Sequence, residues 1–284
     1  MIIDFHTHVF PDKIAGATIA ALAEKAGETP STEGTAASLT KHLSECGVDL
    51  AINLPVLTRP TQFDSVFRFA EELNAKRRAT GAPILSFAGA HPKMDDVEEK
   101  MHAVKEAGFL GVKVHPDYQD TPFDDEGYVR ILKAAKAEDL IVVTHAGLDA
   151  AYVGQHIHCT PDSTLRLLWA VDGYDKLVLA HYGARAMAYE VYEKLAGEDV
   201  YFDTAYILSE TDKETFLKIL DKHGDDKVLF ATDSPWQNIG KNIATLKSFE
   251  LGEKREEKIF QEVFNRRLQS KSRGSFGIYK INIV

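Results

Sequence analysis

"LIVVTHAG", residues 140–147, is the stretch on which the fold turns. Leu140 through Val143 form an unbroken apolar run, and the β-branched Ile141, Val142 and Val143 favour extended chain. A strand that is apolar on both faces belongs in a parallel sheet covered by helices, whereas a half-wet antiparallel strand alternates with polar residues. The run then stops at Thr144 and His145. An apolar strand delivering a polar side chain at its C-terminal end is the repeating unit of this chain.

Seven more runs share that build: "IIDFH" (2–6), "AINLPVL" (51–57), "ILSFAGAHP" (84–92), "FLGVKVHP" (109–116), "LVLAHYG" (177–183), "VYFDTAY" (200–206) and "VLFATDSPW" (228–236). Between them lie amphipathic stretches of helical period, such as "FDSVFRFAEELNAKRRA" from Phe63 and "DDVEEKMHAVKEAG" from Asp95. Gly108 reads as the stop of the latter helix, and Asp95, Asp96, Glu98 and Glu99 suit its positive N-terminal end. Eight such units predict an α/β protein, a (β/α)8 TIM barrel in a single domain, with an open doubly wound sheet as the alternative. The barrel is assigned to residues 1–269. Residues 270–284, closing on the strand-like "FGIYKINIV", form a C-terminal tail to which the sequence gives no role.

Composition narrows the function. Of 284 residues, 44% are hydrophobic and 27% charged, enough for a large core, and the net charge of -10 disfavours a nucleic-acid footprint. Apolar runs are too short to span a membrane, and no leader segment is evident, so a cytoplasmic location is expected. Cys46 and Cys159 have no disulfide or metal-motif spacing and read as packing residues. The expected partner is a small-molecule substrate, with homo-oligomerisation left open.

The decisive pattern is where the polar residues fall. His6 and His8 end the first run, His91 the third, Lys113 and His115 the fourth, His145 the fifth, His181 the sixth and Asp233 the eighth. In a barrel these ends converge on one mouth. His6 and His8, two residues apart, would share one strand face with Asp4 behind them. A ring of imidazoles with a carboxylate is costly to bury unless one cation satisfies them together. His91, His115, Arg59 after the second run and Arg185 after the sixth are the candidates for substrate contact. Asp203 is placed to buttress a histidine. "HIHC" (156–159) lacks the second half of a closed zinc site and reads as pocket lining or loop packing, and His42, His102 and His223 read as solvated helix residues.

Five ordered motifs, "DFHTH", "GVKVHPDY", "VVTHAG", "LAHYG" and "LFATDSPW", resemble the amidohydrolase superfamily, specifically its family 2 metal-dependent hydrolases. The resemblance implies a catalytic metal, zinc first, held by His6, His8, His145 and Asp233. His181 then binds a second metal or polarises the substrate, and Lys113 is a metal bridge, a substrate cation or a noncovalent partner of an aspartate. The implied chemistry is hydrolysis of a C–N or C–O bond (amide, ester or lactone) in a small polar or anionic substrate, with Asp233, His181 and Lys113 as the catalytic set. Nonoxidative decarboxylation or hydration of a carboxylic acid on the same fold is the alternative, and a noncatalytic metal-binding protein the third class.

Overall fold

The computed structural model describes residues 1–268, so the tail lies outside the described residues. All its strand pairs are parallel. One sheet runs β1 (Ile3–Thr7), β2 (Leu50–Asn53) and β3 (Ile84–Ser86). The other runs in chain order through β4 (Ala88–Gly89), β5 (Gly111–Val114), β6 (Ile141–Thr144), β7 (Leu177–Leu179), β8 (Tyr201–Asp203) and β9 (Val228–Leu229). β3 and β4 are two pieces of one barrel strand, interrupted at Phe87, whose N–H reaches back to Asn53 O at 3.0 Å.

The ring closes between its ends. Phe5 N–H donates to Phe230 O (2.9 Å), Asp233 N–H to His6 O (2.8 Å) and His8 N–H to Ser234 O (2.6 Å). Buried Asp4 adds a side-chain clasp, accepting from the Thr232 hydroxyl (2.6 Å) and the Thr232 N–H (3.0 Å). The expected (β/α)8 barrel is the one observed.

Helices cover the outside. α1 (Asp12–Ala26) and α2 (Ala36–Cys46) follow β1, α3 (Phe63–Thr80) follows β2, and α4 (Val97–Glu106) follows β4. α3 begins at Phe63 as read from the sequence. Gly108 takes a left-handed φ of 79° just past α4, a conformation that is cheap without a Cβ. Between strands and helices lies one apolar layer; a second fills the barrel, where Phe5, Ile52, Phe87, Val143 and Val178 meet. Phe264, from the helical segment after α9 (Ile239–Ser248), joins this interior with its ring 5.4 Å from Phe5. Each such buried side chain contributes roughly 1.5–3 kcal/mol relative to exposure.

One irregularity re-aims the first strand. Asp4 pairs with Ala51 and Thr7 with Asn53, so β1 advances three residues while β2 advances two. Such a bulge reverses the alternation beyond it. Ile3 and Phe5 line the barrel interior before it, and His6 turns to the barrel mouth after it. Asp4 therefore does not share the His6 face; it clamps the closure from outside the site.

His223 corrects the sequence reading, which made it solvated. It ends α8 (Lys213–His223), is 4% exposed and stacks flat on Phe202 at 3.8 Å, with Nδ1 accepting from Gly197 N–H (3.2 Å). Burial pushes its pKa from 6.5 down to about 4. A base depressed in the folded state stabilises the fold above its unfolded pKa and loses that contribution as pH falls. The window is therefore pH 6.5 to 4, and the loss by pH 4.5 is about 2–3 kcal/mol. Urea unfolding at pH 7 and 4.5 should show that His223→Leu removes this share of the acid sensitivity; equal pH dependence in both proteins would refute it.

Candidate metal centre and active-site cavity

Barrel closure and bulge together bring His6, His8 and Asp233 to one point. His6 Nε2 lies 3.1 Å from His8 Nε2 and 3.5 Å from Asp233 Oδ1, and His8 Nε2 lies 3.0 Å from the same oxygen. Behind His6, Asp203 fixes the tautomer. Its Oδ1 accepts the backbone N–H groups of His181 (2.9 Å) and Ala205 (3.0 Å), and Oδ2 faces His6 Nδ1 at 2.8 Å. Surrounded by donors, this carboxylate accepts a hydrogen bond from Nδ1–H, which keeps the ring proton there and leaves a lone pair on Nε2.

The donor set fits a divalent cation. Ligands bound at 2.0–2.2 Å around a tetrahedral ion sit about 3.4 Å apart, close to the spacing found here. Without a cation or proton among them these lone pairs would repel. Burial, reinforced by nearby Lys113, keeps His6 well below its ordinary pKa and hence neutral, the form that binds metal. Burial pushes Asp233 up, but its contacts with His6 and His8 outweigh this and hold the carboxyl below its usual range. Lys113, 1% exposed, points its Nζ at His6 Nε2 from 3.3 Å, and burial lowers its pKa to about 8.

His145 and His181 form an adjoining pair, with His181 Nε2 2.9 Å from His145 Nδ1 and His181 Nδ1 3.0 Å from Ala205 O. The His181 ring centre is 5.5 Å from that of His6. His145 also stacks on His115 at 4.2 Å, and together with Asp149 these two make a second cluster of donor atoms. His145 Nε2 and Asp117 Oδ2 face each other at 3.6 Å, both buried and without a hydrogen-bond partner. Two backbone conformations are held under tension: His181 and Asp233 have φ of 58° and 66°, costly for non-glycine residues by about 1–3 kcal/mol each.

A family profile described as Amidohydrolase matches residues 3–262. The chain belongs to the amidohydrolase family. It is an enzyme of that superfamily. No curated protein matches it. Solved structures do. A 2,6-dihydroxybenzoate decarboxylase from Rhizobium is 17% identical, with a TM-score of 0.69 over 95% of this chain and 99% of its own. A 5-carboxyvanillate decarboxylase from Novosphingobium aromaticivorans, complexed with manganese and 4-hydroxy-3-methoxy-5-nitrobenzoic acid, is 14% identical, with a TM-score of 0.70 over 94% and 96%. A probable 2-pyrone-4,6-dicarboxylic acid hydrolase from Acinetobacter baumannii, with citric acid bound, is 15% identical, with a TM-score of 0.66 over 94% and 98%. At these identities the likeness is one of fold.

The amidohydrolase cavity above these groups measures about 450 Å³. Its wall includes His6, His8, Lys113, His145, His181 and Asp233, with His115 and Arg185 nearby. The structure does not bring the other two predicted substrate contacts to that wall. Arg59 is exposed on the surface, its backbone N–H capped by Gln62 Oε1. His91 is buried beneath the rim, where Nδ1 accepts Lys93 N–H at 3.1 Å. Arg185 reaches the wall already paired, its Nε 2.8 Å from Glu210 and its guanidinium 4.1 Å over the Tyr206 ring. The "HIHC" loop packs as read: His158 binds Asp117 at 3.0 Å and Cys159 is buried.

Sequence reasoning missed Asp117, Tyr118 and Asp149. The two carboxylates follow strand-end histidines by two and four residues, in "HPD" and "HAGLD", which is the available signal. Glycine signals were also passed over. Gly147 pairs with Arg185 in an isolated parallel bridge, and a Cβ there would sit 2.1 Å from Arg185 N. Asp203→Ala should weaken divalent-ion affinity about 10–100-fold, the usual cost of losing a carboxylate that orients a ligating histidine. Competition against a chromophoric chelator measures this; unchanged affinity would mean that His6 needs no such partner.

Proposed function

We propose that this amidohydrolase hydrolyses an amide, ester or lactone bond of a small molecule with the help of one divalent metal ion. The observation that carries the reading is the convergence of His6 Nε2, His8 Nε2 and Asp233 Oδ1 within 3.5 Å at the cavity wall. These three would hold the ion, with His145 the expected fourth ligand from the resemblance. Zinc is the ion we expect, and manganese, bound in a structural neighbour, is the alternative that suits the same histidine and carboxylate donors. Such an ion supplies Lewis acidity, making water nucleophilic near neutral pH and polarising a carbonyl.

The chain's own groups supply the rest. Asp233, ionised beside His8 and with Oδ1 committed to the ion, takes a proton from the attacking water at its other oxygen, Oδ2, and returns it to the leaving nitrogen or oxygen. His181 is kept neutral by burial, with Nδ1 facing Ala205 O, so Nδ1 carries the proton and Nε2 is turned towards His145. His145 Nδ1–H then donates to His181 Nε2, which leaves the His145 Nε2 lone pair for the ion and makes His181 the group that positions that ligand. Lys113 acts as a noncovalent cation beside His6, stabilising negative charge that develops at the reacting oxygen.

Decarboxylation of an aromatic acid is the second reading, favoured by the fold shared with two decarboxylases and by a cavity wide enough for a ring. A panel of esters, lactones and amides run beside carboxylated aromatics assayed for carbon dioxide separates the two. Asp233→Asn should lower turnover at least about 100-fold on the active panel while the protein stays folded. Turnover unchanged in that variant would remove the proton role; carbon dioxide release with no hydrolysis would replace the first reading by the second.

A further inference from the structure

The cavity has two chemically distinct ends. One carries the histidines; the other takes apolar side chains from two helices, α1 and α3. On α1 the core-facing residues are Ala15 and Ile19, both buried. A separate stripe at Ile14, Thr18, Leu22 and Ala26, spaced by four residues, lines the cavity. This stripe extends over about 18 Å of helix. From α3 come Val66 and Phe69, one turn apart and also packed against the core, with the polar Ser65, Gln62 and Thr58 beside them, and Phe10 and Val56 come from the strand-end loops. Ile14 is 50% exposed, although it stands beside buried positions on the same helix.

The charged groups do not offset this. Arg185 is neutralised by Glu210, and Lys113 lies at the histidine end. Glu28 and Asp149 are acidic members of the same wall. Among the described residues of the wall, then, no unpaired cation waits for an anionic group away from the metal centre. The sequence expectation of a polar or anionic substrate is not what these surfaces suit.

We infer that the α1–α3 side of the cavity is an apolar subsite that binds an alkyl chain or aryl ring of an uncharged substrate while its carbonyl lies at the His6–His8–Asp233 end. This rests on the proposed hydrolysis only for the reacting bond; the apolar subsite stands on the wall itself. Apolar transfer predicts that each methylene placed there tightens binding about three- to fourfold.

Straight-chain primary amides from butanamide to decanamide are the probes, because they are neutral and bind without needing the ion. Trp236 lines the cavity, and in a Trp169→Phe background it is the single tryptophan, so its emission reports occupancy. Affinity should rise three- to fourfold per methylene over several members, with or without added zinc. Ile14→Asp, at a half-exposed position, and Val66→Asp should each flatten that rise. Affinity independent of chain length, or a rise that both variants leave intact, would overturn the subsite. A steep rise in a protein that hydrolyses no ester or amide would uphold the subsite and sink the hydrolytic reading alone.

Discussion

Everything in this site depends on the seam where the first strand meets the end of the last. The Phe5, His8 and Asp233 backbone bonds and the Asp4 clasp on Thr232 make neighbours of residues at opposite ends of the barrel. The same bonds set the spacing of the candidate metal donors, since Asp233 N–H is tied to the carbonyl of His6 itself. Backbone bonds are short and directional, so the donor atoms inherit tolerances of tenths of an ångström that surface loops alone would not provide.

Around this seam carboxylates do the orienting. Asp203 spends both oxygens on His6, His181 and Ala205, so one buried side chain aligns two histidines from different strands. Its cost is desolvation, which raises its pKa, and three N–H donors repay it. Asp117 faces His145 without a hydrogen bond to it, while its other oxygen is held by His158. His6, His145 and His181 are thus kept neutral by burial, and the Asp203 carboxylate points His6 and anchors the backbone of His181.

The fold was legible because its signal is one-dimensional: runs such as "LIVVTHAG" are apolar on both faces, and β6 (Ile141–Thr144) is buried throughout. Strand-end position also identified His6, His8, His145, His181 and Asp233 as wall residues of one cavity. Parity along a strand was less safe. One extra residue in β1 put Asp4 on the closure and not behind the histidines, and no residue type in "DFHTH" announces a bulge. Sequence position could not separate His91 and Arg59, which sit near the mouth but face elsewhere, from His115, which faces in. Nor could helical periodicity foresee that His223 would find Phe202 as a stacking surface, a contact made only once α8 lies across β8.

The close approach at Gly147 has a mechanical consequence. Arg185 N–H bonds Ala146 O, and Leu148 N–H bonds Arg185 O, both at 3.0 Å, so the segments leaving β6 and β7 are stitched together directly beyond their histidines. Only a residue without a side chain permits that stitch. His145 and His181 are consequently tied to one another through the backbone beyond them as well as through their rings, so a side chain at position 147 would disturb both.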